Sequence, residues 1–251
     1  MPSIIEINGL EKSFGEKKVL CGVDLNIDRG ESLVIIGSSG CGKSVLLKHI
    51  NRLMTPDAGS VTVFDSDLAN VTSRSLREIR EKVGMLFQSA ALLDSLTVGE
   101  NVGLALKENS SLRDNRIADI VAQKLEMVGM SGTEELYPSD LSGGMRKRIG
   151  LARAISTDPE IVLYDEPTTG LDPITADLIN DLIVTLHKKL SITSISVTHD
   201  MRAAYKTADR IVMLYNGKIE YEGTPEEIKR SGNPVVDQFI NGRAEGPIQV
   251  N

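Results

Sequence analysis

Cysteine is scarce: 2 residues in a chain of 251. That excludes a disulfide framework and makes a reducing compartment the default. Basic charge is not in excess either. Lysines and arginines number 28 against 35 acidic residues, a net charge of −7. A general nucleic-acid binder, whose affinity rests on clustered Lys and Arg, is therefore not expected. No apolar run approaches the roughly 20 residues needed to span a bilayer. The opening MPSIIEINGL has no basic stretch followed by an apolar one, so no secretory signal is expected and a cytoplasmic chain is. Internal repeats and low-complexity tracts are missing. So is any Asn-Lys-x-Asp guanine motif, which disfavours a P-loop GTPase.

What is present is an ordinary globular composition, 41% hydrophobic and 25% charged. It supports one large domain, or one domain with a lobe. The N-terminal third is strand-rich. Val23, Leu25 and Ile27 alternate through VDLNID, as in a half-buried strand. SLVIIG (32–37) is a continuous apolar run of the kind buried on both faces. GSVTVF (59–64) and VGMLFQ (83–88) predict two further strands.

Between 92 and 158 the period becomes helical. TVGE (97–100) has capping-box spacing, and Ile117, Ile120, Val121, Leu125 and Val128 recur at helix intervals before Gly129. This stretch reads as a helical lobe inserted into a core spanning 1–91 and 159–232. Strands resume at IVLY (161–164) and ITSISVTH (192–199). Between them lies a helix capped by Asp172, with Ile174, Leu178, Leu182 and Leu186 along one side. Asn216-Gly217 predicts a hairpin. Alternating strands and helices imply an α/β fold with a largely parallel sheet.

GSSGCGKS (37–44) fits G-x4-G-K-[ST] and sits after a buried strand and before a helix. Its glycines let backbone N–H groups face phosphates. Lys43 reaches the β- and γ-phosphates and Ser44 ligates Mg²⁺. Cys41 reads as a small residue the loop accommodates, with a redox-sensitive thiol as the alternative. In IVLYDEPTTGLD (161–172), Asp165 ends an apolar strand and suits a carboxylate holding Mg²⁺ through water. Glu166 follows, placed to orient or deprotonate the attacking water. Gln88 and His199 end two other strands, where ligands of open α/β sheets bind. Phe14 either stacks on a base or is a core aromatic at a strand end. His49 and His187 read as surface or packing residues. A second anion site is suggested by LSGGMRKRIG (141–150), where two glycines open a basic helix.

In this order the motifs resemble those of ABC-type ATPases, the nucleotide-binding subunits of ATP-binding-cassette systems. The resemblance covers nearly the whole chain. It implies that Phe14 stacks on adenine and that Gly37, Ser38, Ser39, Gly40, Cys41, Gly42, Lys43, Ser44 and Val45 hold ATP in the Walker A loop. Gln88 becomes the Q-loop residue, catalytic and a ligand of Mg²⁺ with Ser44 and Asp165. Glu166 and His199 become the other catalytic residues, and Asp172 the D-loop residue. Met145 and Phe14 depart from the Gln and Tyr common in relatives.

The signature loop of this family serves another chain's nucleotide. Ser142, Gly143 and Gly144 are thus expected to approach ATP held by Lys43 of a second copy. The architecture implied is a P-loop core with an N-terminal antiparallel β portion and the helical lobe.

A narrower likeness, carried by FQSAALLDSLTVGENV, LSGGMRKRIGLARAI, YDEPTTGLDPI and NPVVDQFINGRAEGPI, is to the MlaF/Mkl group of lipid-transport ATPases. It implies a homodimer beneath an MlaE-type permease on the cytoplasmic face of the inner membrane. An Mce-domain lipid-binding protein is the further partner, with a STAS-domain regulator in some systems. The segment 233–251, with Val235, Val236, Phe239 and Ile240 at helix spacing, is then an assembly tail. The alternative within the family is a transporter of another solute. Soluble cassette ATPases of translation or DNA repair usually carry two cassettes or a long coiled coil, and this chain has neither.

Overall fold

A computed structural model of the chain describes residues 3–249. The N-terminal stretch runs β1 (Ser3–Phe14), β2 (Lys17–Asp28), β3 (Ser32–Ile36), α1 (Lys43–Ile50), β4 (Ala58–Val63), β5 (Ser66–Asp67) and α2 (Ser73–Glu81). The middle holds β6 (Val83–Leu86), α3 (Val98–Asn109), α4 (Asp114–Met127), α5 (Gly143–Ala154), β7 (Ile161–Asp165) and α6 (Pro173–Leu190). There follow β8 (Thr193–Thr198), α7 (Met201–Thr207), β9 (Arg210–Tyr215), β10 (Lys218–Gly223), α8 (Pro225–Lys229) and α9 (Pro234–Ile240). Two compact units emerge, Met1–Leu76 with Ile195–Asn251, and Arg77–Ser194. The strands β6 and β7 and the helix α6 therefore sort with the helical stretch 92–158.

In the first unit, β2, β1, β4 and β5 form an antiparallel sheet in that order. The strand β1 was not legible as one. Its register with β2 shifts between Ile7 and Leu10, which breaks the alternation a sequence pattern relies on. In the same unit β3 lies parallel to β9, and β10 pairs antiparallel to β9. The hairpin turn is Asn216-Gly217, both at positive φ (47° and 74°), as predicted. Behind β3 and β9 the core gathers Val34, Ile36, Ile211, Met213, Ile228 and Val236.

The tail adds to this core. Ile248 is buried in it. Gln238 on α9, itself buried, accepts from the Ile248 N–H at 2.6 Å and donates to the Ile248 carbonyl at 3.0 Å. The run after α9 is thus seated on its own unit.

In the second unit β6 and β7 pair in parallel. α3, α4, α5 and α6 contribute Val102, Val121, Leu125, Ile149, Leu151, Ile179 and Ile183 to one core with Leu86 and Tyr164. The capping box forms as its spacing requires. Thr97 Oγ1 accepts from the Glu100 N–H at 3.2 Å, and Glu100 Oε2 accepts from the Thr97 N–H at 2.9 Å.

Two expectations are corrected here. The strand expected over 83–88 ends at Leu86, so Gln88 lies beyond it, in a loop. The face assigned to α6 is also wrong at its N-terminal end: Ile174 is 77% and Leu178 48% exposed, while Ile179, Ile183 and Leu186 are buried. Residues four apart advance by about 40° around a helix, so the three steps from Ile174 to Leu186 turn through about 120° and do not stay on the buried face.

Candidate functional site

In the first unit, β3 ends and the chain turns through the glycine loop into α1. Gly37, Gly40 and Gly42 hold φ values of 151°, 77° and 110°, which residues with side chains rarely adopt. A Cβ on Gly37 would stand 2.4 Å from the Leu214 carbonyl oxygen, so the loop lies directly against β9. Lys43 is buried, and its Nζ donates to the carbonyls of Gly37 (2.7 Å) and Ser38 (3.1 Å). Ser44 and Val45 continue the first turn of α1.

A cavity of about 370 Å³ does not adjoin this loop; the one that does measures about 330 Å³. Ser38, Ser39, Gly40 and Cys41 line it, with Lys17, Lys18, Val19 and the Asn216-Gly217 turn. Its glycine backbone and the lysines Lys17 and Lys18 suit it to an anion. Phe14 is 48% exposed and stands opposite Lys17 in the β1–β2 register. An aromatic face therefore sits at the margin of the phosphate cradle, the pairing a nucleotide needs. The core-aromatic reading of Phe14 does not hold. His199 is exposed, one residue past β8.

In the second unit two clusters form. Asp165 ends β7 and Glu166 follows, both buried, Glu166 at φ 48°. Thr169 Oγ1 donates to Glu166 Oε2 at 3.2 Å. Lys147, on α5 and buried, donates to the Gln88 carbonyl at 2.6 Å and the Glu166 carbonyl at 3.3 Å. One ammonium thus joins the residues expected to position and activate water. Burial pushes the Lys147 pKa down, and the charges of Asp165 and Glu166 oppose that shift.

The second cluster is the signature turn. Ser142 caps α5, its Oγ accepting from the Met145 N–H at 3.3 Å. A Cβ on Gly144 would meet Thr175 Cγ2 at 2.7 Å, and one on Gly143 would meet Leu171 at 3.4 Å. Larger residues would push this turn off the segment around Asp172. That carboxylate caps α6, with Oδ1 accepting from the N–H groups of Ile174 and Thr175, each at 3.0 Å. The Thr175 hydrogen bonds, first the side-chain one, hold its pKa below the usual value.

Sequence reasoning missed three residues. Lys147 and Arg153 were visible only as a basic run, yet Arg153 donates to the carbonyls of Ala90 (2.5 Å) and Ala91 (2.7 Å). Asn101, fully buried, accepts from the Leu93 N–H and reaches the carbonyls of Leu93, Leu96 and Thr97. Their common task is to hold the loop that follows Gln88.

Residues 20–169 match the ABC transporter family. The chain belongs to it. It is accordingly an ATP-binding, ATP-hydrolysing subunit of a transporter, built as an ABC ATPase cassette. It is 38% identical to the intermembrane phospholipid transport system ATP-binding protein MlaF of Haemophilus influenzae, covering 98% of this chain and 94% of that one. It is 41% identical to the probable ribonucleotide transport ATP-binding protein mkl of Mycobacterium tuberculosis, covering 97% and 68%. Among solved structures, a dimeric, post-hydrolysis ATP-binding cassette bound to ADP and Pi matches with a TM-score of 0.81 at 32% identity, over 88% of this chain and 98% of that one.

Proposed function

We propose that this ATPase energises a membrane transporter of phospholipid or a related lipid, of the Mla/Mce type, as a homodimer with two ATPs at its interface. Lys43 and the glycine loop hold the β- and γ-phosphates, and Phe14 stacks on adenine. Glu166 takes the proton of the attacking water, while Gln88 and His199 place that water and the γ-phosphate. Mg²⁺, which neutralises phosphate charge when bound, would take protein oxygens from Ser44, Asp165 and Gln88.

The observation that carries the dimer is the signature turn itself. Ser142 and Gly143 are exposed at the start of α5, a second anion site in a chain that already holds a full cradle. Ile174 and Leu178, exposed one turn apart beside Asp172, offer apolar surface to a second copy, and the related cassette with ADP and Pi is dimeric. The lipid reading is supported by the likeness to MlaF along nearly all of that protein's length.

An MlaE-type permease, an Mce-domain protein and, in some systems, a STAS-domain regulator are the partners that follow. The helical lobe has a groove suited to a permease segment, a cavity of about 370 Å³. Leu104, Ile117 and Val121 supply apolar lining, and Glu100, Glu134 and Glu135 favour a basic segment. No helix among the described residues is long and apolar enough to cross a membrane. Attachment at the cytoplasmic face then runs through the permease. The likeness to mkl favours a second reading, a different solute.

Pulldown of the tagged chain from detergent-solubilised membranes tests the assignment. Recovery of a permease whose reconstituted complex hydrolyses ATP faster with phospholipid is the expected result. Stimulation by ribonucleotides and not by phospholipid would replace the lipid reading.

A further inference from the structure

We propose that Lys147 is a positioning residue for hydrolysis, tying the Gln88 loop and the Glu166 turn to the signature helix so that α5 sets both at once. The inference rests on the catalytic reading of Gln88 and Glu166 and adds a residue outside it.

A lysine is almost never fully buried unless its charge finds partners. Lys147 is 5% exposed, and its acceptors are two backbone carbonyls 59 and 19 residues away in sequence. Both belong to strained turns. Glu166 sits at φ 48°, and the Gln88 loop continues through Ala90 (61°) and Ala91 (48°), all left-handed without being glycine. Such conformations persist only where the surroundings over-determine them. Here α5 supplies two of the grips. Lys147 grips the near end of the loop, and Arg153, six residues further along α5, grips the carbonyls of Ala90 and Ala91.

The Glu166 carbonyl also accepts from the Thr169 N–H at 3.2 Å, and Thr169 in turn holds the Glu166 carboxylate. A shift of Lys147 therefore moves the carboxylate through its own backbone. The helix that carries Lys147 begins at Ser142–Gly144, the turn expected to meet ATP on the second copy. Movement at that turn is delivered to the Gln88 and Glu166 backbones together.

The side chain suits the task. A compact ammonium can donate in several directions, whereas the flat guanidinium of arginine is matched to one plane. Lys147→Met keeps the apolar stem and removes the donors. Lys147→Gln keeps a donor without the charge, and Lys147→Arg keeps the charge with the wrong geometry.

The test uses the full-length chain. In Lys147→Met, kcat for ATP should fall about 10- to 100-fold, the scale of a misplaced catalytic group, with KM within about twofold of the parent. Lys147→Gln should recover part of kcat and Lys147→Arg none. Hydrogen exchange of the nucleotide-free chain gives a second readout. Segments 87–91 and 166–169 should lose protection together in Lys147→Met, while Arg153→Met should loosen only the first.

Unchanged exchange at either segment, or kcat within twofold of the parent, overturns the proposal. So does a kcat loss matched by a proportional rise in KM. If Lys147→Met does not fold, the same criteria apply to Lys147→Gln. Should Glu166→Gln turn out to hydrolyse ATP normally, the catalytic reading fails, and the paired loss of exchange protection still decides whether Lys147 couples the two segments.

Discussion

Asp57 Oδ1 accepts a hydrogen bond from Lys12 Nζ at 2.7 Å, and its other oxygen accepts one from the Ser13 N–H, also at 2.7 Å. The carboxylate thereby fixes the end of β1 immediately before Phe14, and the Lys12 ammonium lies 5.8 Å from the centre of the Phe14 ring. Asp57→Ala should free Phe14 while sparing the glycine loop. Base–aromatic stacking is worth about 1–3 kcal/mol, about 5- to 150-fold in affinity, so losing part of it should weaken ATP binding about three- to tenfold. Binding of inorganic tripolyphosphate, which has no base, should not change. Equal losses for both ligands would show a general disturbance instead. The Lys12 hydrogen bond holds the Asp57 pKa below 3.8. The bond's contribution is therefore present above that pH and lost as the pH falls through the lowered folded value.

Glu166→Gln should still bind ATP and lose turnover by roughly 10²–10⁴-fold, because the amide keeps the shape and lacks the basic oxygen. Thr169 can still donate to the remaining carbonyl oxygen, so the turn should stay in place. Single-turnover hydrolysis measured beside equilibrium nucleotide binding separates the two effects. A near-normal rate removes Glu166 from its role.

The use of Ser142–Gly144 across the dimer can be read from paired lesions in the reconstituted transporter. One chain carrying Lys43→Ala and another carrying Ser142→Arg place both lesions in the same composite site and leave the other site native. That pair should occlude labelled ATP. A doubly mutated chain beside a native one damages both sites once each and should not. The reverse ranking would mean that each site is built within one chain.

Gly84 in β6 faces α5 so closely that a Cβ would lie 2.0 Å from the Ala154 carbonyl oxygen. Gly84→Ala should destabilise the second unit at the upper end of about 1–3 kcal/mol, since a backbone oxygen cannot rotate away. Urea unfolding is the measurement. A midpoint equal to that of the parent would mean α5 can retreat from β6 without cost.

Gln238→Ala would leave the buried N–H and carbonyl of Ile248 without the partner they have in Gln238. A stability loss of about 1–3 kcal/mol is expected. Removing 241–251 should cost more, because Ile248 also leaves the core. Proteolysis of the tail in the Gln238→Ala chain, faster than in the parent, would report its release. If truncation weakens only the assembled transporter and not the isolated chain, the tail acts between copies rather than within one.

Several features were legible because their physics is local. Thr97 and Glu100 are three residues apart, so their reciprocal bonds follow from spacing. Asp172 before Pro173 and the Asn216-Gly217 turn are equally self-contained. The strand β1 was not legible, because its bulges interrupt alternation. The buried face of α6 was misjudged because an apolar residue exposed for another surface looks the same in sequence as one facing the core.

The sequence alone determined two local features: a loop with glycines where φ is positive, leading into α1, and, separately, a carboxylate pair closing a buried strand. Each depends on residues within a few positions of one another, whose allowed conformations and hydrogen bonds are set by the local chain. Only the tertiary structure decided what the basic residues of the signature helix do. Lys147 could have faced solvent like its neighbour Arg146, which is exposed. Packing α5 into the second unit buries it instead, and a buried ammonium must find acceptors wherever the fold brings them. Here the fold brings the carbonyls of Gln88 and Glu166.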